Sequence, residues 1–221
     1  MTTALILDSS SPVPNILDSV TPALVLKLTP PRVRKSQLLR ERLRLMRDNA
    51  DGVEVILVEA PAGYGKTALL AQWRLDWLHS GALVTWLDLD FDDSISSLTG
   101  GIIEGLRRAS GRADFGHDAL EAIRRGSSFT QAETALLAEI AEYAHPTVII
   151  LDNAERPSGP ELLELCNYLL HNLPPNLQIV ISSRTRLPLA TGELLAHGNL
   201  LQIGIKHLQF DRVETHALLT Q

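Results

Sequence analysis

The sequence predicts a three-layer α/β/α domain built on a parallel five-stranded sheet. Three observations predict it. Short apolar runs rich in β-branched residues alternate with longer segments of helical period, the arrangement that βαβ units require. The runs are nearly continuous in apolar character rather than alternating, as strands buried on both faces are. A glycine-containing turn ending in Lys66-Thr67 joins the first run to the first long helix.

Residues 1–26 are rich in Ser, Pro and Thr without a sustained period, and read as a disordered or loosely attached arm before a domain spanning 27–221. Thr29-Pro30-Pro31 marks a turn or extended step. From Ser36, a possible N-cap, a helix is expected with Leu39, Leu43 and Met46 on one face. The first strand covers 53–59 and the next helix 66–79, stopped at Ser80-Gly81. A second strand over 82–89 leads to a helix over 94–108; residues 109–130 are ambiguous. A helix over 131–144 ends before Pro146. Residues 147–151 form the third strand, 160–172 a helix, 177–182 the fourth strand and 200–205 the fifth. A final helix starts near Asp211, and its abrupt ending is read as the front piece of a longer protein.

Bulk properties exclude several classes. With 45% hydrophobic and 21% charged residues, the 221-residue chain has the composition of an ordinary globule. A formal charge of −6 argues against nucleic-acid binding by the whole chain, which needs a surplus of Lys and Arg. The single Cys166 allows no internal disulfide. It shares helical spacing with Leu162, Leu165, Leu169 and Leu170 and reads as a buried helix face. No apolar stretch is long enough for a membrane span, no signal peptide is present, and a cytoplasmic address follows by elimination. The histidines lack metal-ligand spacing, and no Gly-x-Ser-x-Gly elbow occurs.

The segment Ala60-Pro61-Ala62-Gly63-Tyr64-Gly65-Lys66-Thr67, running into Ala68, has the chemistry of a phosphate cradle. Glycines at 63 and 65 permit positive φ and turn backbone N–H groups inward. Those amides and the helix N-terminus form an anion nest for β- and γ-phosphates, Lys66 adds a point charge, and the Thr67 hydroxyl can complete the coordination of Mg²⁺. This is the pattern of a P-loop NTPase. Ala60 replaces the usual first glycine, which is tolerable if its φ stays negative.

Asp152 closes the third strand, where a carboxylate faces the ligand crevice and can hold a magnesium-bound water. Asn153 occupies the position where many ATPases carry a second acid, so hydrolysis is expected to be slow or absent. Glu155 is the candidate substitute as base. Arg184, at the end of the fourth strand, is placed to sense a γ-phosphate. Asp88, Asp90, Asp92 and Asp93 read as a solvated acidic loop, with one of them near the metal shell as the alternative. The basic run Arg32, Arg34, Lys35, Arg40, Arg42, Arg44 and Arg47 reads as a solvated helix face. Trp73 and Trp77, four apart, read as core.

With these residues in place, the chain resembles the ATPase domain of the large LuxR-type ATP-binding transcriptional regulators, among the signal-transduction ATPases with numerous domains. The resemblance rests on Lys27-Leu-Thr-Pro-Pro-Arg32, the cradle leading into Gln72-Trp73, Val84-Thr-Trp-Leu-Asp-Leu89, Leu173–Val180, Ser183-Arg184 and 200–210. It implies an ATP/ADP switch that self-associates or acts within a longer regulator, with DNA contacted only through domains outside these residues. It also implies Arg40 as an arginine near the nucleotide. The family commonly has Asp-Asp where this chain has Asp152-Asn153. The competing readings are a working P-loop ATPase or kinase independent of transcription, and an inhibitory module in mixed oligomers.

Overall fold

Five parallel strands, β1 (Val55–Glu59), β2 (Leu83–Asp88), β3 (Thr147–Asp152), β4 (Leu177–Ser183) and β5 (Leu200–Ile203), hydrogen-bond in the order β2-β3-β4-β1-β5. The computed structural model describes residues 20–34, 36–50, 52–143, 145–157 and 159–220. The central three strands are apolar on both faces because both are covered. On one face Ile56, Val58, Val148, Ile150 and Val180 pack under α2 (Glu41–Asp48), α3 (Lys66–His79) and α9 (Ile205–Leu208). On the other, Val55, Leu57, Ile149, Leu151, Ile179 and Ile181 pack under α4 (Ile95–Ser110), α6 (Phe129–Glu142) and α7 (Pro160–His171). The period of two along each strand divides one apolar run between two cores.

Helix α3 carries the site, and its inner face fixes its direction. Leu69, Leu70 and Trp73 are buried, each worth about 1.5–3 kcal/mol relative to exposure. Trp77 lies edge-on to Trp73 with centroids 6.0 Å apart, and the Arg47 guanidinium covers both rings at 5.2 Å. Helix α4 holds Gly101 and Gly105 despite their helix penalty because β2 leaves no room. A Cβ at 105 would sit 1.8 Å from Thr85 Oγ1, and one at 101 would sit 3.0 Å from Leu87.

Several expectations require correction. Across the end of the arm expected over 1–26 runs α1 (Pro22–Lys27), which Thr21 caps and whose Leu24 packs on the core; residues 1–19 lie outside the described residues. Thr21-Pro22 is itself a helix-start signature, an N-cap followed by proline at the first turn. The helix expected from Ser36 begins only at Glu41. Residues 37–40 are held along α3 instead: Gln37 Nε2 donates to the Ala68 carbonyl at 3.0 Å, and Gln72 Nε2 donates to that of Leu38 at 2.8 Å. The ambiguous 109–130 stretch contains α5 (His117–Arg124), and α8 (Gly192–His197) precedes β5. The fifth strand stops at Ile203, where Gly204 begins α9; α10 (Arg212–Leu219) is capped by Asp211.

The basic run is not one solvated face. The side chains of Arg40 and Arg47 are 7% and 8% exposed. Nor is the acidic loop simply solvated. Asp93 pairs with Lys27 at 2.6 Å and accepts from Ser97, tying α1 to the start of α4. Among the described residues no helix is long and apolar enough to cross a membrane.

Candidate nucleotide site

The candidate site lies at the C-terminal edge of the sheet, where parallel strands present their ligand crevice. Strand β1 ends at Glu59, whose carboxylate accepts from the Leu187 N–H at 2.9 Å, and Ala60 N–H donates to Ser183 O at 3.2 Å. These contacts fix the loop's root between β1 and β4. Gly63 and Gly65 have φ of 86° and 78°. A Cβ at either would meet nothing within 4 Å, so conformation rather than space demands glycine. Ala60 stays outside the left-handed region. Gly65 caps α3 without any side-chain acceptor, which leaves first-turn amides of α3 uncapped by side chains.

Lys66 opens α3, a position unfavourable for a cation beside the helix dipole. Its ammonium is stabilised by loop carbonyls, donating to Ala60 O at 2.5 Å and Pro61 O at 3.1 Å. Burial holds the amine below the usual lysine range. Glu155 and Asp152 act against that shift, while Arg184 adds to it. Direct contacts tie the three strand ends together: Ala60 N–H to Ser183 O, the Asp152 carboxylate to the Ser182 hydroxyl, and Glu155 to Arg184.

Asp152 is 2% exposed at the end of β3. Burial raises its carboxyl, against hydrogen bonds from the Ser182 and Thr67 hydroxyls; Asp88 pushes it up further, and the Asn153 amide pulls it down. Ser182, fully buried at the end of β4, is a partner that sequence reading missed. The signal was a Ser182-Ser183 pair closing an otherwise apolar strand. The Thr67 hydroxyl and the Asp152 carboxylate, side by side, form an oxygen set of the type a hard divalent cation takes, with water completing the shell. The nest of amides and the buried ammonium suit the polyphosphate. Among the described residues no cluster of three His, Cys, Asp or Glu side chains forms a protein-only metal cage.

The chain after Asp152 turns sharply. Asn153 has φ 59°, and its Nδ2 donates to Asp88 Oδ1 at 2.7 Å, across to β2. The Glu155 carboxylate is engaged by Arg184: Oε2 accepts from its backbone N–H at 2.9 Å, and Oε1 lies 3.1 Å from Nε. Arg40 stands apart from this group. Its Nε pairs with Glu214 at 2.8 Å, its Nη2 donates to Leu208 O at 3.1 Å and Gln209 O at 3.3 Å, and its guanidinium lies 4.5 Å over the Phe210 ring. None of these partners belongs to the cradle, so the position that the resemblance implies for Arg40 corresponds here to a buried tie between α2 and α10.

A parallel sheet with a lysine-bearing glycine turn after β1 and a buried carboxylate at the end of β3 defines the P-loop NTPase fold. No family model matches the chain. In sequence it is similar to the HTH-type transcriptional regulator MalT of Vibrio campbellii, 29% identical over 196 residues, which cover 88% of this chain and 21% of that protein. MalT of Vibrio cholerae is 28% identical over the same shares, and MalT of Klebsiella pneumoniae 27% over 85% and 20%. The resemblance to LuxR-type regulators read from the motifs therefore extends over most of the chain, which spans about a fifth of the length of these relatives. Looser likenesses link it to a Drosophila ORC structure with AT-rich DNA and Cdc6 (TM-score 0.46, 15% identity, 73% of this chain and 51% of that one). Another is the Aeropyrum pernix ORC1 protein in complex with DNA (TM-score 0.43, 17%, 84% and 50%).

Proposed function

We propose that the chain is the ATP- and Mg²⁺-binding switch domain of a LuxR-type transcriptional regulator, with slow or absent hydrolysis. The observation that carries this reading is the left-handed Gly63 and Gly65 turn that opens α3 with Lys66 and Thr67, rooted on β4 through Ala60 and Ser183, with the buried Asp152 closing the neighbouring β3. In it, the 63–67 amides and Lys66 hold the β- and γ-phosphates, and Thr67 and Asp152 hold the metal shell. Mg²⁺ held there would neutralise charge on the phosphates. Arg184 reports the terminal phosphate.

Slow turnover is supported by Asn153, which puts no carboxylate where a second acid is expected and donates its amide to Asp88, so it cannot serve as a base for an attacking water. This favours the switch over the ATPase or kinase reading. Self-association or work within a longer regulator, DNA contact through other domains, and a cytoplasmic address belong to the same proposal.

Calorimetry with magnesium-ATP tests it. Heat of binding is expected for the chain, its loss in Lys66→Ala, and negligible steady release of phosphate. No heat with folded protein, or no effect of Lys66→Ala, overturns the assignment. Sustained turnover overturns the switch in favour of an enzyme.

A further inference from the structure

The turn after β3 is built to deliver one side chain to β4. Asn153 takes the left-handed conformation that asparagine tolerates better than most residues. Ala154 N–H then donates to Ser182 O at 2.9 Å, folding residues 153–155 over the end of β4. Glu155 lands against Arg184 and holds it twice, by the backbone amide and by Nε.

The two partners differ in access. The Glu155 side chain is 14% exposed and the Arg184 side chain 49%. The carboxylate is the buried anchor, and the guanidinium is the half-solvated member. Among the described residues its two Nη groups make no hydrogen bond, while Lys66 of the cradle lies within electrostatic reach. A guanidinium with a free fork suits a tetrahedral phosphate better than one Nε contact suits it to a carboxylate.

We propose that Glu155 is a positioning residue rather than a base: it is the resting partner of Arg184, and preference for a nucleoside triphosphate over a diphosphate is set by transfer of Arg184 from the Glu155 carboxylate to the terminal phosphate. This rests on the nucleotide-binding reading above. A diphosphate lacks the terminal phosphate and leaves the pair closed. A triphosphate must displace the carboxylate, so Glu155 works against ATP and leaves ADP nearly untouched. Because the pair is half-exposed, its strength is modest.

Dissociation constants for magnesium-ATP and magnesium-ADP, measured by calorimetry on the chain, Glu155→Gln, Arg184→Gln and the double variant, test this. Arg184 is half-exposed, and the Glu155→Gln amide oxygen can still accept from the Arg184 N–H, so the turn is kept. Glu155→Gln is expected to raise the ATP-to-ADP preference about three- to fivefold. In the Arg184→Gln background the same change is expected to leave the preference unaltered, a coupling that a general change of charge or of fold would not produce. An unchanged or lowered preference in Glu155→Gln, or an equal rise with and without Arg184, overturns the proposal. Failure of the unsubstituted chain to bind either nucleotide overturns the nucleotide-binding reading instead.

Discussion

Asn153 Nδ2 lies 2.7 Å from Asp88 Oδ1, so the residue standing where a second acid is expected faces β2 as a hydrogen-bond donor. An aspartate there would keep the left-handed turn and lose the donor. It would also set two carboxylates against each other, with Asp152 close by. Asn153→Asp is therefore expected to destabilise the fold by about 1–2 kcal/mol at pH 7. The repelled carboxyl takes up a proton more readily when folded, so the loss shrinks as pH falls toward 4. It is not expected to create rapid hydrolysis. Thermal unfolding at the two pH values measures the first effect, and wild-type stability at pH 7 would contradict the contact.

Gly65→Ala separates conformation from space in the cradle. The new methyl group meets no atom within 4 Å, but φ 78° costs an L-residue about 1–2 kcal/mol. The chain relieves that strain by rotating the loop, which turns the amides out of the nest. The expected result is a folded protein, slightly less stable, whose affinity for magnesium-ATP falls at least about tenfold. Denaturation and calorimetry on one preparation read both quantities. Retained affinity would mean that the amides at this turn are not the anion's ligands.

The Arg40–Glu214 pair is buried on both sides, with exposures of 7% and 8%. Removing one partner of a buried pair costs about 3–5 kcal/mol, and here Arg42 and the Asp211 N–H still reach Glu214, which places the loss at the low end. Burial opposes the Glu214 charge, yet hydrogen bonds and attraction from Arg40, aided by Arg42, hold its carboxyl below the usual range. That contribution is complete above the ordinary glutamate pKa and is lost as pH falls through the lowered one. Arg40→Met is expected to lower the unfolding free energy by about 3 kcal/mol, and Arg40→Met with Glu214→Leu by less than that. Urea denaturation of the three proteins decides it. A double variant weaker than Arg40→Met would show that the pair is more than an isolated buried contact.

What could be read from the sequence follows from how locally each feature is encoded. The turn before α3 and the start and end of α3 were legible because consecutive residues specify them: glycines for φ and Ser80-Gly81 for the stop. The strands were legible as apolar runs, with ends shifted by a residue or two where capping decides. The helix at 22–27 was not seen, although Thr21-Pro22 announces it, because the composition before it suggested an arm. The burial of Arg40 and Arg47 had no local signal. A basic run resembles a solvated face until Glu214, Phe210, Asp76 and the two tryptophans are brought beside it. The direction of Asn153 is of the same kind, set by the neighbouring end of β2 rather than by its own surroundings in the chain.

Glu133 supplies a test outside the nucleotide site. It lies on the inner face of α6, 3% exposed, near Cys166 of α7. Burial pushes its carboxyl from the usual 4.5 up to about 7, and burial together with the Glu133 charge pushes the Cys166 thiol up to about 12. An acid whose folded pKa exceeds its unfolded one favours the fold in its protonated form. Its stabilising effect is therefore complete below pH 4.5, declines as pH rises through the interval to about 7, and changes no further above it. Glu133→Gln removes that titration while keeping shape and polarity. At pH 7.5 the variant is expected to be more stable by about 1–2 kcal/mol, and the two proteins should converge near pH 4.5. Denaturation midpoints across that range measure the difference. A gap that stays constant with pH would mean that Glu133 does not change protonation on folding, and that its carboxylate has a compensating partner.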